Sequence, residues 1–559
     1  MAARSSRLST SCSSGSPCIL AFLGAVFLWA ALPPLDWWPL AWVAPIPWVL
    51  LIRRKELGGK RPYAMLTLAG FCFWMAALHW LRLPHPLTSL GWIALSFYFA
   101  FYLPVFVGLS RVAVHRMGIS AILAAPIVWT GLELARAHLL TGMTMASLGH
   151  TQYRWIQLIQ VSDLAGTFGV SFLVMFVAAS LARMLPCDSP VQQRSFARAM
   201  ARLWPLGPAA AMLAATLVYG HVRLATNSTT NGPRIALIQG SIDIEFLDDS
   251  ARVELRHRIY TEYYNLSRQA IQQSPSLDLI VWPETMFPGS LVTLDDDAAA
   301  PSNLSATDIR QAAEYGELSR KQMAQSLNVP LLLGVDAYHF GPSGQRCFNS
   351  AAYIARDGRL LGRYDKMHLV LFGEYTPFVE YCPWLQNFTP LTGNAAPGDR
   401  PAAFDLNGIR LAPNICYETV LSHVIRGQVN RLAAEGNEPD VLVNLTNDGW
   451  FWGSSELDMH LVCGVFRAVE CRKPLLIAAN TGFSAWIDAD GRIRRQGRRH
   501  AKDIIIAEPQ LDRRRSWYLA HGDWFSGLCL LACGVCGMVG IYGRVRSKKA
   551  IAATDHPPL

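Results

Sequence analysis

The sequence predicts a polytopic α-helical membrane protein that carries one large extramembrane α/β domain. Two observations predict this fold class. The 559 residues are 51% hydrophobic and only 16% charged, whereas soluble proteins carry about 25% charged residues. The apolar residues are also concentrated in 18–224 and 524–543, while 233–515 have the composition of a globular domain. About 280 residues are enough for a single α/β core.

Apolar segments indicate about eight membrane-spanning helices, because several are near the roughly 20 residues that cross a bilayer. The first two segments are short and rich in proline, so we expect them to be tilted, kinked or re-entrant. Glu133 and Arg136 lie within the fifth segment, where they form either an ion pair with one another or part of a functional site. The segments are 18–33, 37–52, 63–82, 90–110, 119–139, 164–184, 204–224 and 524–543.

Lysine and arginine occur in alternate loops between these segments, and this pattern predicts the orientation of the chain. Basic loops stay in the cytoplasm, so both termini, with tails at 1–17 and 544–559, are expected there. The domain at 225–523 is then expected on the other face, the periplasm of a bacterium with two membranes, and the protein is expected in the cell inner membrane. The basic residues are Arg4, Arg7, Arg53, Arg54, Lys55, Lys60, Arg61, Arg111, Arg116, Arg183, Arg194, Arg198, Arg202, Arg544, Arg546, Lys548 and Lys549.

The net charge of +9 does not indicate a nucleic-acid partner, because much of the excess lies in these orienting loops. Basic clusters at 492–499 and 513–515 are either solvated edges of the domain or contacts to anionic lipid headgroups. The cysteines of the large domain form no disulfide framework, and no Cys/His spacing indicates a metal site. We therefore expect neither a metal nor a cofactor. These cysteines are Cys347, Cys382, Cys416, Cys463 and Cys471.

The large domain alternates predicted strands and helices in the manner of a layered α/β sandwich. Amphipathic helices are expected at 250–273, 307–327 and 456–472. The Asp- and Ala-rich stretch 290–306 is expected to be a loop insertion, and 140–163 is expected to lie along the outer membrane interface. Strands are expected at 234–239, 277–282, 330–335, 349–355, 410–415, 440–445, 475–479 and 504–507.

Three segments of this domain carry a carboxylate, an ammonium and a thiol at or just beyond strand ends. They contain Glu284, Lys366 and Cys416. A thiol needs a base to become a nucleophilic thiolate, and a nearby carboxylate can serve as that base. A fixed cation can stabilise the oxyanion of a tetrahedral intermediate. Together the three groups predict acyl transfer without a metal or cofactor.

These segments resemble the Glu-Lys-Cys triad of the nitrilase superfamily, and the chain from 18 to 543 is similar to the apolipoprotein N-acyltransferases. Further matching motifs lie at 444–451, 466–470 and 479–482. The resemblance implies that 225–523 is a nitrilase-like αββα sandwich. It also implies an enzyme that takes an acyl chain from a membrane phospholipid and passes it to the N-terminal amine of a diacylglyceryl-cysteine apolipoprotein. Membrane lipids are then its surroundings and its substrates.

The resemblance also implies roles for single residues. Cys416 is expected to be the nucleophile that carries the acyl chain as a thioester in a ping-pong reaction, with Glu284 as general base. Lys366 is expected to stabilise the oxyanion, with help from the backbone N–H of Tyr417.

Three neighbouring residues are expected to support the triad. Glu374 matches a glutamate that supports the lysine and the base, with a structural ion pair as the alternative. Tyr417 and Glu418 match residues that shape the pocket, although Glu418 at a helix start is equally suited to capping it.

The chain departs from the family pattern at three positions, which leaves its substrate preference open. Leu371 stands where relatives usually have proline, Gly449 where they have alanine, and Phe246 is the nearest aromatic where a tryptophan is usual. Two other functions stay open: a membrane-tethered amidase that hydrolyses a periplasmic amide, and a non-enzymatic scaffold or transporter with a degenerate domain. The number of apolar segments favours the acyltransferase over the amidase, because an anchor needs only one.

Overall fold

The structure, a computed structural model, describes residues 16–185, 203–226, 229–243, 249–295, 305–342, 344–379, 381–388 and 394–554. The predicted tail at 1–17 lies outside the described residues except for its last two. Four other residues named above also lie outside the described residues: Arg194, Arg198, Arg202 and Phe246. The last helix continues to Thr554, so most of the predicted C-terminal tail at 544–559 is helical.

Helices occupy all eight predicted apolar segments in the described part of the chain. Pro126 lies inside the fifth of them, and Phe101 separates two consecutive helices within the fourth. The helices of this region are α1 (Pro17–Ala31), α2 (Ile46–Arg53), α3 (Pro62–Ala77), α4 (Thr88–Ala100), α5 (Tyr102–His115), α6 (Ala121–His138), α7 (Ile156–Ile159), α8 (Ser162–Ala165), α9 (Thr167–Met184) and α10 (Leu206–Ala225).

Three helical stretches of the described residues are long and apolar enough to cross a membrane. They are Thr88–His115, Thr167–Met184 and Trp524–Arg546. Shorter apolar helices lie at Pro17–Ala31, Trp38–Arg53 and Pro62–Ala77. The helical secondary structure of the apolar region is thus as predicted.

The segment after α6 belongs to the stretch 140–163 that was predicted at the outer membrane interface. Residues 142–153 of it are buried inside the protein. Glu133 and Arg136 help to hold this segment in place, because each of them hydrogen-bonds a residue of the segment rather than the other charged side chain. Glu133 accepts from the backbone N–H of Leu148 at 2.8 Å, and Arg136 donates to the Ser147 hydroxyl at 2.9 Å.

The large domain contains two main sheets. The strands are β1 (Thr229–Asn231), β2 (Ile235–Gln239), β3 (Leu279–Val281), β4 (Leu291–Leu294), β5 (Leu331–Gly341), β6 (Gly344–Ile354), β7 (Leu360–Asp365), β8 (Phe404–Leu406), β9 (Ile409–Ile415), β10 (Val441–Thr446), β11 (Leu475–Ala479), β12 (Ala485–Ile487), β13 (Ile493–Gln496), β14 (Asp503–Ala507) and β15 (Gln510–Asp512). The first sheet has the order β14-β2-β3-β5-β6-β7, with β4 paired to β5, and the second has the order β13-β12-β11-β10-β9-β8.

The two sheets pack face to face, and helices cover both outer faces. Leu237 and Val281 of the first sheet share one buried cluster with Ile415 and Val443 of the second. The domain is therefore an αββα sandwich. Its helices are α11 (Asp249–Gln273) and α12 (Ala306–Leu327) on the first sheet, α13 (Ser422–Ala434) and α14 (Glu456–Cys471) on the second, followed by α15 (Trp517–His521) and the final α16 (Trp524–Thr554).

All eight predicted strands and three predicted helices of the domain are present. The prediction of a loop at 290–306 is wrong at both ends. Leu291–Leu294 forms β4 because Leu291 is buried and the strand pairs in parallel with β5. Ser305 begins α12 through a capping box with Asp308. Residues 296–304 lie outside the described part.

Candidate active site

The ends of three strands place the predicted base, oxyanion-stabilising cation and nucleophile around one point. Lys366 directly follows β7 and Cys416 directly follows β9, while Glu284 lies three residues beyond β3. Because the two sheets pack face to face, strand ends from both meet at one edge. The fold therefore converts three distant sequence positions into one cluster.

Lys366 is the centre of this cluster. Its ammonium lies 3.2 Å from Glu284 Oε1 and 2.8 Å from Glu374 Oε1, and the residue is 1% exposed. Burial alone would lower the pKa of Lys366, but Glu284 and Glu374 raise the pKa well above its usual value. Lys366 is therefore a fixed cation at neutral pH.

Two asparagines hold the carboxylates, and the sequence did not single them out. Asn349 donates through Nδ2 to Glu284 Oε1 at 2.6 Å and to Glu374 Oε1 at 3.1 Å. The backbone N–H of Asn447 donates to Glu284 Oε2 at 2.9 Å. These bonds leave Glu284 little freedom to rotate. Asn349 is on β6, and the backbone N–H of Lys366 donates to its carbonyl at 2.8 Å. The pairing of β6 with β7 therefore brings Asn349 to the site.

Cys416 is partly exposed, and the charges of Glu284 and Lys366 both act on its thiol. Burial and the Glu284 carboxylate raise the pKa of the thiol, while Lys366 lowers it, and the net pKa is well above the usual value. The resting group is therefore a neutral thiol, which needs a base before it can attack a carbonyl.

This thiol pKa predicts the pH dependence of alkylation. We expect the rate of Cys416 modification by iodoacetamide to rise about tenfold per pH unit through the neutral range, because only the thiolate reacts. Mass spectrometry of the Cys416 peptide gives the rate, and a short cysteine peptide is the control. A rate that levels off near pH 7 would contradict a raised pKa.

Glu418 joins the ends of β7 and β9 instead of facing the thiol. Its carboxylate accepts from the backbone N–H groups of Met367, His368 and Ile415 at 2.7–3.0 Å. It also accepts from the hydroxyl of Tyr364 at 2.8 Å. Glu418 caps the single 3₁₀ turn Cys416–Val420, not the following helix α13. It therefore fixes Lys366 relative to Cys416.

We expect Glu418→Ala to lower the free energy of unfolding by about 3 kcal/mol, because the buried N–H of Ile415 and two half-buried N–H groups lose their acceptor. Tyr364→Phe is the matched control, since it removes one donor and leaves the acceptor; its expected cost is about 1 kcal/mol. Thermal denaturation in detergent measures both. Equal effects of the two changes would show that Glu418 does not hold the strand ends.

Tyr417 points away from the cluster, towards the apolar helices. Its hydroxyl donates to the carbonyl of Gly142 at 2.6 Å. The end of the Cys416–Val420 turn is attached to the same segment, because the Thr144 hydroxyl donates to the carbonyl of Val420. The side chain of Tyr417 thus secures the Cys416–Val420 turn on the buried segment after α6.

One group of described side chains has metal-ligand character. Carboxylate oxygens of Asp448 and Glu456 and a ring nitrogen of His460 lie within 4.8 Å of one another. Asp448 accepts from Thr446, and His460 bonds the Cys416 carbonyl. Asp448 and His460 already have protein partners, whereas Glu456 Oε2 is buried without one in the described part of the chain. Because two of the three groups are already hydrogen-bonded, we assign the group no metal.

Comparison with known proteins identifies the family. Residues 24–180 match the apolipoprotein N-acyltransferase N-terminal domain, and residues 234–519 match the carbon-nitrogen hydrolase family. An apolipoprotein N-acyltransferase from Rhodopirellula baltica is 33% identical over 95% of this chain and 98% of its own length. The chain belongs to the apolipoprotein N-acyltransferase family. A second relative with that name, from Geobacter metallireducens, is 32% identical over 92% of this chain and 94% of its own.

Membership of the apolipoprotein N-acyltransferase family makes the protein an acyltransferase with a nitrilase-like domain. The resemblance inferred from the three strand-end segments is confirmed. A solved amidase from Nesterenkonia sp. AN1 aligns with 52% of this chain and 96% of its own, at 17% identity and a TM-score of 0.35. The assignment does not depend on that likeness.

Proposed function

We propose that the protein moves an acyl chain from a membrane phospholipid to the N-terminal amine of diacylglyceryl-cysteine apolipoproteins, through a thioester on Cys416. The observation that carries this proposal is the contact of Lys366 with two carboxylates beside a neutral thiol. Glu284, Lys366 and Cys416 are the proposed catalytic residues. Glu374, Tyr417 and Glu418 are the proposed supporting residues.

The first half-reaction forms the acyl-enzyme. Glu284 takes the proton of the Cys416 thiol, and the thiolate attacks the ester carbonyl of the phospholipid. Lys366 stabilises the oxyanion of the tetrahedral intermediate. When the intermediate collapses, the C–O ester bond breaks, and Glu284 returns the proton to the alcohol of the lysophospholipid.

The second half-reaction transfers the chain to the acceptor. The neutral α-amine attacks the thioester, Lys366 again stabilises the oxyanion, and Glu284 takes the proton that the nitrogen loses. The C–S bond then breaks, and the sulfur regains the proton from Glu284. The products are an N-acylated apolipoprotein and the free thiol.

The apolar surroundings of the nucleophile support a lipid substrate. Tyr417, Val420 and Phe451 of the domain belong to the same apolar cluster as α1, α2, α3 and α6. Phe451 meets Trp80 ring to edge, with centroids 5.1 Å apart. An acyl chain on Cys416 therefore borders apolar side chains that continue into the helices, which suits a long alkyl chain better than a small soluble amide.

Trapping the acyl-enzyme tests this function. Purified protein in detergent, given phospholipid and no acceptor, is expected to gain the mass of one acyl chain on Cys416. A synthetic diacylglyceryl-cysteine peptide should discharge it. Cys416→Ala is the control, and an adduct that persists in that variant would rule out Cys416. Turnover of soluble amides without lipid would instead favour the amidase.

We also propose the membrane arrangement that this reaction needs. Residues 18–224 form seven spans and 524–543 the eighth, with both ends in the cytoplasm and 225–523 at the periplasmic face. The alternating basic loops support this arrangement. Cysteines introduced at the exposed Tyr381 and Lys60 provide the test. An impermeant thiol reagent applied to cells with a permeable outer membrane should label only the first, and labelling of the second would contradict this orientation.

A further inference from the structure

The backbone of Cys416 has an unusual conformation. Its φ is +51°, in the left-handed region that side chains with a Cβ rarely occupy. Such a conformation persists only when the surrounding structure holds it. The contacts that hold Cys416 therefore decide where the thiol points.

Two side chains hold the carbonyl of Cys416. Asn444 donates to this oxygen through Nδ2 at 3.2 Å, and His460 Nε2 lies 3.2 Å from the same oxygen. Because a carbonyl only accepts, His460 Nε2 must carry a proton. Both side chains are buried, so water does not compete for these bonds.

A second set of contacts reaches the sulfur. Leu445 of β10 pairs with Ile415 of β9, so Thr446 lies beside Cys416. The Thr446 hydroxyl donates to Asp448 Oδ1 at 2.7 Å, and its proximity to the thiol lowers the pKa of Cys416. Asp448 Oδ1 in turn lies 3.4 Å from His460 Nδ1.

These contacts close a ring that starts and ends on Cys416, made of Cys416, Thr446, Asp448 and His460. In the ring, His460 Nδ1 faces a carboxylate oxygen while Nε2 is already protonated. The contacts on both sides of Asp448, with Thr446 and with His460, hold the Thr446 side chain beside the sulfur.

We propose that Thr446 stabilises the Cys416 thiolate directly, and that Asp448 and His460 are positioning residues that hold Thr446 and the Cys416 backbone. This inference rests on the proposed function of Cys416 as the nucleophile. In the resting enzyme the thiol donates to the Thr446 oxygen, and Thr446 donates to Asp448. When Glu284 removes the thiol proton, the Thr446 O–H turns from Asp448 to the sulfur, and Asp448 keeps its contact with His460. No other proton moves, so the step is balanced.

Four variants test the ring. Thr446→Val keeps the side-chain shape and removes the hydroxyl, and Thr446→Ser keeps the hydroxyl. His460→Gln keeps a donor for the Cys416 carbonyl and loses the bond to Asp448, whereas His460→Ala loses both. The measurements are the rate of acyl-Cys416 formation, the KM for phospholipid, and the pH profile of iodoacetamide labelling. The titratable groups that act on this profile are Glu284, Lys366 and Asp448.

We expect Thr446→Val to slow acyl-enzyme formation at least about tenfold with an unchanged KM, since a hydrogen bond to a charged group is lost. Its labelling profile should move to higher pH, because the thiolate loses a donor. Thr446→Ser should restore both properties, and His460→Gln should lie between the wild type and His460→Ala.

Two kinds of failure are distinguishable. If the wild-type protein forms no acyl-Cys416, the proposed function is wrong. If the wild type forms it and Thr446→Val forms it equally fast, the ring proposal is wrong. A slower Thr446→Val with an unshifted labelling profile also overturns the proposal, because a structural role would slow the reaction without changing the thiolate. If Thr446→Val does not fold, the comparison of His460→Gln with His460→Ala decides, and equal rates reject the ring.

Discussion

Glu284→Gln is expected to slow acyl-Cys416 formation by about three orders of magnitude, within the range that a general base contributes. The resting thiol is neutral because its pKa is well above the usual value. The Glu284 carboxylate, which lies beside Lys366, raises this pKa. Asn349 and Asn447 hold the carboxylate in place. Glutamine has the same size but takes no proton, so attack on the ester becomes slow.

The same variant should alkylate faster, and this opposite change is diagnostic. The Glu284 charge raises the pKa of Cys416, so its removal lowers the pKa and increases the thiolate fraction at neutral pH. Iodoacetamide needs no base, whereas the phospholipid ester does. Rates of labelling and of acyl-enzyme formation, measured on one preparation, should therefore move in opposite directions.

Glu374→Gln is the matched control for Glu284→Gln. It removes the same charge from Lys366, at 2.8 Å. Glu284 is the charged group with the largest effect on the pKa of Cys416. We expect a much smaller loss of acylation and no faster alkylation. Equal losses in the two variants would show that Glu284 acts only as a partner of Lys366.

The sequence predicted the parts of the fold that local patterns determine. Buried strands such as β9 and β11 are short apolar runs, and α14 is amphipathic, so their bounds were nearly correct. It did not predict β4, because Leu291–Leu294 is a strand only through its pairing with β5. Edge strands such as β13 are polar and mostly exposed, so they lack the alternation that marks a strand.

The reactive side chains of the site were predictable, but the groups that position them were not. A purely structural role seldom explains why a cysteine, a lysine and a glutamate all lie at or near strand ends of one domain. Asn349, Thr446 and His460 are ordinary residues within strands and a helix. Their roles depend on strand register and on the side of a helix that faces Cys416, and both are properties of the packed domain. Glu418 was predicted as a pocket residue, and its four hydrogen bonds become apparent only when β7 lies beside the Cys416 turn.

Lys366→Met is expected to reduce both catalysis and stability. Loss of one oxyanion donor costs about 10²–10³ in rate. The variant also leaves Glu284 and Glu374 without the cation between them, and removing one partner of a buried ion pair costs about 3–5 kcal/mol. Because Lys366 lowers the pKa of Cys416, alkylation should become slower as well. Acylation, thermal denaturation and iodoacetamide labelling measure the three effects.

The stability loss of Lys366→Met should depend on pH in a defined direction. The pKa of Lys366 in the folded protein is raised, so its contribution is complete at neutral pH and is lost only at alkaline pH. The difference in stability between the wild type and Lys366→Met should therefore be constant through neutral pH and shrink only at alkaline pH.

The double variant Lys366→Met/Glu374→Gln separates the two roles of the lysine. Only one buried charge, on Glu284, remains in it, so part of the lost stability should return. Acylation should stay as low as in Lys366→Met, since no cation faces the oxyanion. Recovery of the acylation rate together with stability would mean that Lys366 only neutralises the carboxylates, and the oxyanion would then need another donor.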